Sequence, residues 1–458
     1  MAFDSLTFLL FFLPGSLILY YAVPFRAKNW ILAAVSLLFY AWGDPISLIV
    51  LVYSILVNYA LGRLLGARPE HRKAVLAIDV VLNLLVLCFF RYYSPVLTLI
   101  DRLLPAGIAL RSLPVPLGLA IFTLQAIAYM VDLYRGKYPA EKNFIRFTVY
   151  LSCFPVLPAG PIVRYSEVGE QLKAREVSFA KLGKGLIRFV FGLAKKVLLA
   201  DSAAMIFDTV RALPDTTVLG SWLAVLSFAF RIYLLLSSFS DMAIGLLEAF
   251  GFEIPENFTY PYMAHSVTNF WKRWFNSLGR WFGDYLYLPC GGRRVKILGN
   301  IALMLLIFAL TGLFFGTGLN YLAWGLYFGI LVLSDRYLFR KLKLPKFIGA
   351  VFTLFFVLMG WVLFFSGSVP EAIRFYPALF GVSASAADNA SLYVLLRYGI
   401  LLFLQAFACF PLLRKLYELL TKKLPGRILV YLAAAAVFVF TLVYLVTGTS
   451  DPLAFFRL

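Results

Sequence analysis

Long apolar runs alternate along this chain with short stretches that carry most of its charged residues. The runs are Leu6–Val23, Trp30–Tyr40, Ile46–Leu65, Ala74–Phe90, Val115–Val131, Phe189–Leu199, Val218–Leu236, Leu298–Phe315, Leu319–Leu333, Phe347–Phe365, Leu392–Leu412 and Ile428–Val446. A membrane-crossing helix needs about 20 mostly apolar residues, so the pattern predicts about eleven to thirteen membrane segments, with the shorter ones tilted or re-entrant. Because open sheets cannot satisfy their backbone polar groups in lipid, we expect an all-α, polytopic integral membrane protein.

The composition makes lipid the expected solvent for most of the chain. Of its 458 residues 62% are hydrophobic and 14% are charged, and the mean hydropathy is +0.85. A soluble protein of this size could not bury that much apolar surface in one core. We therefore expect one membrane-embedded domain over residues 1–458. The first run lacks a signal-peptide cleavage pattern and is predicted to remain as a membrane helix.

The distribution of charge predicts the orientation in the membrane. The strongly basic stretches are Arg63–Lys73, Arg135–Arg146, Arg164–Lys196, Lys272–Lys296, Arg336–Lys346 and Arg414–Arg427. The positive-inside rule places them in the cytoplasm and the weakly charged stretches Asp208–Thr217 and Pro370–Ser391 outside. Since Arg26 and Lys28 follow the first run, the N-terminus is predicted outside. The net charge of +19 does not indicate nucleic-acid binding, because no basic surface domain remains to carry it.

Two further classes of protein receive no support from the sequence. Cys88, Cys153, Cys290 and Cys409 are far apart and form no CxxC motif, so neither a metal site nor a disulfide framework is predicted. We find no internal repeat of fixed period, which argues against a transporter built from inverted repeats.

Two stretches depart from the pattern of plain membrane helices. In Val149–Glu167, proline at 155, 158 and 161 with glycine at 160 cannot form one straight helix. At membrane depth this backbone is either covered by protein or lines a cavity, and the alternative is a surface loop at the membrane edge. In Ser266–Lys296, tryptophans alternate with basic residues, which is typical of an interfacial amphipathic helix that contacts anionic lipid. A functional site is the alternative for that second stretch.

The second stretch also resembles a known family. "NFWKRWFNSLGRWFGDYLYLPCGG" at 269–292 is similar to the bacterial branch of the membrane-bound O-acyltransferases, which includes membrane proteins of alginate O-acetylation and teichoic-acid D-alanylation. "LLFYAWGDP", "GLAIFTLQAIAYMVDLYRGK", "FPVLPAGPIVRYSE", "SDMAIGL" and "LTGLFFG" match in the same order. The resemblance implies helices around a central funnel or tunnel. It also implies acyl transfer from a cytoplasmic thioester donor, either acyl-CoA or an acyl carrier protein, with no bound cofactor or metal.

The histidines that the resemblance implies are replaced in this chain. The essential histidine of the family lies in "TGLWHG", where this chain has Phe315, and a second lies in "FWRRWHISL", where it has Phe275. A further histidine, in "GLYHG", is Phe328, and the aspartate of "QIYFDFSGYSDMAIG" is Leu235. A hydroxyl acceptor loses a proton as it attacks, and imidazole accepts that proton near neutral pH, whereas phenylalanine cannot.

The resemblance also gives a set of residues expected to line the tunnel and bind substrate. They are Arg231, Leu235, Ser237, Asn269, Trp271, Arg273, Trp274, Phe275, Phe315, Asn320 and Phe328. His265 and Asp241 are the candidate substitutes for the missing base, although an ion pair of Asp241 with Arg231 or Arg273 is the simpler expectation. His71 is expected to be a solvated loop residue. Cys290 is a candidate acyl-carrier thiol, with an inert small side chain as the alternative.

Three functions remain as hypotheses. The first is a bacterial inner-membrane enzyme that passes acyl groups for polysaccharide modification by using another base. Its partners would be a cytoplasmic acyl carrier and an exported hydrolase-like transferase, which the resemblance implies. The second is a pseudoenzyme, which would act as a scaffold, a regulator or a lipid-binding protein. The third is a transporter, which the missing repeats disfavour.

Overall fold

The computed structural model describes residues 2–43, 45–103, 113–339 and 345–447. The α-helices are α1 Leu13–Ala22, α2 Phe25–Gly43, α3 Pro45–Ala67, α4 Arg72–Leu103, α5 Leu119–Tyr134, α6 Phe144–Ser152, α7 Tyr165–Lys173, α8 Phe179–Ala194, α9 Asp201–Arg211, α10 Val218–Ala249, α11 Val267–Trp271, α12 Asn276–Phe282, α13 Ile297–Phe315, α14 Leu319–Tyr337, α15 Lys346–Phe365, α16 Val369–Leu379, α17 Asn389–Ala408, α18 Leu412–Leu420 and α19 Leu424–Val446. Short 3-10 helices cover Pro69–His71, Pro261–Met263 and Gly292–Arg294, and π-helices cover Phe8–Phe12, Lys195–Ala200 and Gly283–Tyr287. Within the described ranges this confirms an all-α membrane protein. Part of the basic stretch Arg336–Lys346, at 340–344, lies outside them.

Some of the described helices are long and apolar enough to cross a membrane. Among the described residues there are seven, which lie at Pro45–Ala67, Pro69–Thr98, Val218–Ala249, Ile297–Phe315, Lys346–Phe365, Asn389–Ala408 and Leu424–Val446. Two shorter apolar helices, Phe8–Ala22 and Leu119–Tyr134, add to them. The number of membrane segments, including the tilted or re-entrant ones, therefore stays a prediction.

The described chain divides into two compact units. The first comprises Met1–Leu186 with Ala243–Pro255, and the second comprises Ile187–Met242 with Glu256–Leu458. A single domain over the whole chain remains a prediction. In the first unit the proline-rich backbone between α6 and α7 is not helical, and every residue from Cys153 to Val163 is buried. Coverage by protein was therefore the correct alternative for this stretch, and the surface loop was wrong.

In the second unit, α13 and α14 form a hairpin with very close backbone contact. An ideal Cβ on Gly312 would lie 2.2 Å from the carbonyl oxygen of Tyr321, and one on Gly325 would lie 2.2 Å from that of Phe308. Only glycine fits at such distances, as at the small-residue interfaces between membrane helices. This contact sets the relative position of Phe315, at the end of α13, and Phe328, on α14.

Candidate functional site

The beginning of the stretch Ser266–Lys296 forms two short helices rather than one continuous helix. α11 ends at Trp271 and α12 begins at Asn276, and Phe275 between them adopts φ 44° and ψ 58°. This left-handed conformation is unfavourable for a bulky L-residue, because its Cβ approaches the following carbonyl oxygen. Phe270 and Trp274 are also almost completely buried. The single interfacial amphipathic helix expected here was therefore wrong, because helical periodicity does not reveal a break held by tertiary contacts.

Hydrogen bonds from a neighbouring loop hold the strained turn in place. The Thr259 amide donates to the carbonyl of Arg273 at 3.0 Å, and the Asn276 amide donates to the carbonyl of Asn257 at 2.8 Å. The Ser277 amide and hydroxyl both donate to Oδ1 of Asn257, at 3.0 and 2.9 Å. These bonds lie on both sides of Phe275, so they offset the cost of its backbone conformation.

Aromatic rings occupy the positions where the resemblance implies histidines. The ring of Phe275 stacks on Phe258 at 5.7 Å and lies 6.3 Å from the ring of Phe315. Phe315 contacts Trp324 at 5.5 Å, and Trp324 contacts Phe328 at 5.4 Å. We call these five residues the aromatic centre. Three predicted site positions, Phe275, Phe315 and Phe328, therefore do lie in one cluster.

The tryptophans of the second motif join the aromatic centre at its edge. Trp271 lies 5.2 Å from the ring of Phe328, and Trp274 lies 5.5 Å from that of Phe258. Asn269 and Arg273 bond to each other instead, with Nε of Arg273 donating to Oδ1 of Asn269 at 3.0 Å. Trp271 and Trp274 thus form an apolar side that contacts the aromatic centre, whereas Asn269 and Arg273 form a polar side held by their mutual hydrogen bond.

Asn320 has a structural partner at the end of α15. Its side chain is buried, and Nδ2 donates to the carbonyls of Phe364, at 3.4 Å, and Ser366, at 2.9 Å. These carbonyls belong to the last turn of a helix and have no intrahelical partner. Asn320 therefore caps α15 and fixes the approach of α14 to it.

The remaining predicted site positions lie on α10. Leu235 and Ser237 are buried, and the Ser237 hydroxyl donates back to the carbonyl of Leu234 at 3.4 Å. Arg231 makes a long contact of 4.0 Å with Asp208. Tyr233, between these positions, has its ring 6.4 Å from Trp274, which brings this stretch of α10 near the aromatic centre.

Asp241, the intramembrane acid, has partners that the sequence did not predict. Its carboxylate accepts from Nζ of Lys195 and from Nη2 of Arg188, the latter at 2.8 Å. The expected pair with Arg231 or Arg273 is therefore wrong. Arg188 and Lys195 lie seven residues apart, across the junction of α8 and the π-helix, and so face the same side.

The ion pairs continue beyond Asp241 into a network. Arg188 also binds Glu256 at 2.5 Å, Glu256 binds Arg414 at 3.5 Å, and Arg414 binds Glu418 at 2.9 Å. Sequence reasoning missed this network, because its members come from three segments that are distant in sequence. The one available signal was the unexplained acid, which requires a cation when it lies at membrane depth.

His265 and the exposed thiol lie away from the aromatic centre. An ideal Cβ on Gly349 would lie 2.5 Å from the carbonyl oxygen of His265, whereas one on Gly360 would lie 2.7 Å from Phe328. Eleven residues of α15 separate these glycines, which is about 16 Å along a helix. His265 is exposed, and His71 is exposed in the 3-10 helix that precedes α4.

Cys290 lies beside the opposite end of α13 from Phe315. Nδ2 of Asn300 bonds to the Tyr287 hydroxyl at 2.9 Å and to the carbonyl of Gly292 at 3.0 Å, and these residues flank the thiol. Fifteen residues of α13 separate Asn300 from Phe315, about 22 Å. Among the described residues, no group of three or more His, Cys, Asp or Glu side chains could hold a metal.

Comparison with known proteins identifies what this arrangement is similar to. The profile of the membrane-bound O-acyltransferase family (MBOAT) matches residues 139–370. That range includes the broken motif, the aromatic centre and Asp241. The match therefore falls on the part of the chain where the predicted site positions lie together.

Curated relatives extend the similarity over most of the chain. A probable alginate O-acetylase, AlgI, from Azotobacter vinelandii is 35% identical over 390 residues, which cover 83% of this chain and 78% of the relative. A peptidoglycan O-acetyltransferase from Helicobacter pylori is 30% identical, with 85% of this chain and 81% of the relative covered. A teichoic acid D-alanyltransferase from Bacillus subtilis is 24% identical, with coverages of 54% and 68%.

Proposed function

This chain belongs to the membrane-bound O-acyltransferase family, and we propose that it serves the acylation of a cell-surface polysaccharide as a non-catalytic membrane component. The relatives named as alginate and peptidoglycan acetyltransferases support the class of pathway. The aromatic centre supports the absence of catalysis by the family's route. The acceptor and acyl group are those of such a pathway, namely a polysaccharide hydroxyl and a short acyl chain.

The observation that carries this proposal is the chemistry of the aromatic centre. Acyl transfer to a hydroxyl requires a base within hydrogen-bonding reach of the attacking oxygen. Phe275 and Phe315 lie side by side, at 6.3 Å, where the resemblance implies imidazoles. A phenyl ring neither accepts a proton nor orients a nucleophile. It does keep much of the volume of the imidazole, so the fold can survive the exchange.

The two candidate substitutes for the base and the candidate acyl-carrier thiol do not restore that chemistry. The carboxylate of Asp241 is bound by two cations, and a base held in this way has little tendency to accept a proton. His265 lies about 16 Å along α15 from the level of Phe328. Cys290 lies beside the far end of α13. Each of these positions favours a structural rather than a catalytic role for the residue.

In this proposal the protein contributes binding rather than chemistry. It would hold an exported hydrolase-like transferase, which supplies its own nucleophile, and a cytoplasmic acyl-CoA or acyl carrier protein would be the donor of the pathway. The bacterial relatives support a location in the inner membrane. The N-terminus is proposed to face outward, because the basic stretches then lie in the cytoplasm. No bound cofactor is required.

One observation favours a second candidate, acyl transfer through a base other than the family histidine. Phe275 keeps a strained left-handed backbone, and so does Tyr260 with φ 50°. Strain of this kind is common at working active sites, where the surrounding structure maintains it. If the central tunnel implied by the resemblance still positions an acyl group, the hydrolase-like transferase could supply the base.

The two candidates are separated by an acyl-transfer assay. The purified protein is incubated with a labelled acyl thioester, with and without the proposed hydrolase-like transferase. The label is then measured on the protein, on the acceptor and in the free acid released by hydrolysis. The Azotobacter vinelandii relative, treated identically, is the positive control. We expect no transfer by the protein alone. Transfer or thioester hydrolysis above the no-protein rate would refute the non-catalytic proposal.

A further inference from the structure

α18 is an amphipathic helix with one apolar side exposed. Leu412, Leu413, Leu416 and Leu419 are 48–62% exposed, and none of the residues of α18 is buried. Their spacing of three and four residues places Leu412, Leu416 and Leu419 on one side of the helix. Such a row of exposed leucines is unfavourable in water, so this side requires an apolar neighbour.

The neighbouring helices place α18 at the membrane surface. α17 and α19 are both long and apolar enough to cross a bilayer, and α18 lies in the connection between them. A helix of nine residues is about 13 Å long, which is too short to cross a core of about 30 Å. Its charged residues also exclude it from that core.

Contacts with the protein fix which side of α18 is turned outward. Tyr417 and Leu420 pack against Ile187, Val430 and Ala434. Arg414 binds Glu256, on the polar side of the helix. With these two sides held by the protein, Leu412, Leu416 and Leu419 remain directed away from it.

Basic residues border the exposed leucines. The chain from Arg414 to Arg427 carries five basic residues and one acidic residue, Glu418, which is already paired with Arg414. Lys415 is one helical turn before Leu419 and therefore lies beside the leucines, and Lys422 and Lys423 follow the end of the helix. All three lysines are exposed.

We propose that α18 and the residues that follow it form a binding surface for anionic phospholipid headgroups. The leucines insert at the boundary of the acyl chains, and Lys415, Lys422 and Lys423 bind the phosphates. The combination argues for a lipid surface rather than for a protein partner, because the apolar and basic groups meet where a bilayer has its tails and headgroups. Since Arg414 belongs to the ion network of Asp241, bound lipid would also act on that network.

The test measures the binding of phosphatidylglycerol and of phosphatidylcholine to the purified full-length protein by native mass spectrometry. Each basic residue near an anionic surface contributes roughly a fivefold factor in binding. We expect the triple variant Lys415→Gln, Lys422→Gln and Lys423→Gln to lose at least about tenfold of the preference for phosphatidylglycerol. The parent should keep that preference in the presence of millimolar inorganic phosphate.

A matched triple variant controls for diffuse charge. Lys73, Lys142 and Lys346 are exposed lysines elsewhere in the chain, and changing them to glutamine removes the same charge. We expect the ratio of phosphatidylglycerol to phosphatidylcholine binding in this control variant to stay within about twofold of the parent ratio. An equal loss in both variants, an unchanged ratio in the α18 variant, or displacement by inorganic phosphate would overturn the proposal.

A second pair of substitutions tests the apolar side. Leu416→Gln with Leu419→Gln changes only exposed positions, so the protein should fold as the parent does. We expect weaker binding of phosphatidylglycerol at an unchanged oligomeric state, as measured by light scattering. If these substitutions instead dissociate a dimer and leave lipid binding unchanged, the leucines contact a second copy of the chain and the proposal fails.

Discussion

Replacing Gly312 with alanine should destabilise the α13–α14 hairpin. The added Cβ would lie 2.2 Å from the carbonyl oxygen of Tyr321 and 3.0 Å from its carbonyl carbon. The first distance is about 1 Å shorter than an ordinary contact. The atoms that obstruct the Cβ belong to backbone, so no side chain can rotate away and the two helices must separate.

The size of the loss follows from two opposing effects. Overpacking of a well-packed interface costs about 1–3 kcal/mol, and a backbone obstacle favours the upper end of that range. Alanine returns about 1 kcal/mol, because glycine is the poorer helix former. We therefore expect a net loss of about 2 kcal/mol, which for a chain of this size lowers the apparent melting temperature by roughly 2 °C.

A control is available on another membrane helix. Gly399 lies on α17, and an ideal Cβ there has no heavy atom within 4 Å. Gly399→Ala should therefore keep or slightly raise the melting temperature. Both variants are compared with the parent by thermal unfolding in detergent, followed by circular dichroism. A Gly312→Ala protein that melts at or above the parent temperature would refute the close contact between these helices.

Three further predictions concern the site. Phe315→His alone should produce no acyl transfer from a labelled thioester, because Phe275 still occupies the second histidine position; clear transfer by this variant would contradict the reasoning. Asp241→Asn should lower the free energy of unfolding by about 1–3 kcal/mol, discounted for partial exposure, since Lys195 and Arg188 lose the charge of Asp241 and Arg188 keeps only Glu256. Asp208→Asn, whose ion pair with Arg231 is 4.0 Å long, should melt like the parent. Asn320→Ala should cost about 2 kcal/mol in the same assay, because two buried carbonyls at the end of α15 lose their donor, and an unchanged midpoint would show that these carbonyls find another partner.

The sequence predicted more of the candidate site than of its surroundings. Phe275, Phe315 and Phe328 were expected together, because the resemblance places the family's histidines at one centre, and their rings lie in one cluster; their role as site residues stays a prediction. The left-handed conformation of Phe275 was not predicted. Nothing in the local sequence requires it, and hydrogen bonds from the loop containing Asn257 and Thr259 maintain it.

The electrostatic partners were the least predictable part. Asp241 was recognised as an acid that needs a cation, and the sequence suggested Arg231 or Arg273 as its partner. Only the packed structure selects Lys195 and Arg188 and extends the network through Glu256 to Arg414. Similarly, the single amphipathic helix expected in Ser266–Lys296 does not form, because the chain breaks at Phe275.

The sequence by itself determined that this protein is a helical membrane protein of the O-acyltransferase family, because hydropathy and ordered motifs are local properties of the chain. Tertiary structure decided where the backbone is strained and which charges pair. Those outcomes depend on contacts between residues far apart in sequence, and no local pattern contains the free energy of such contacts.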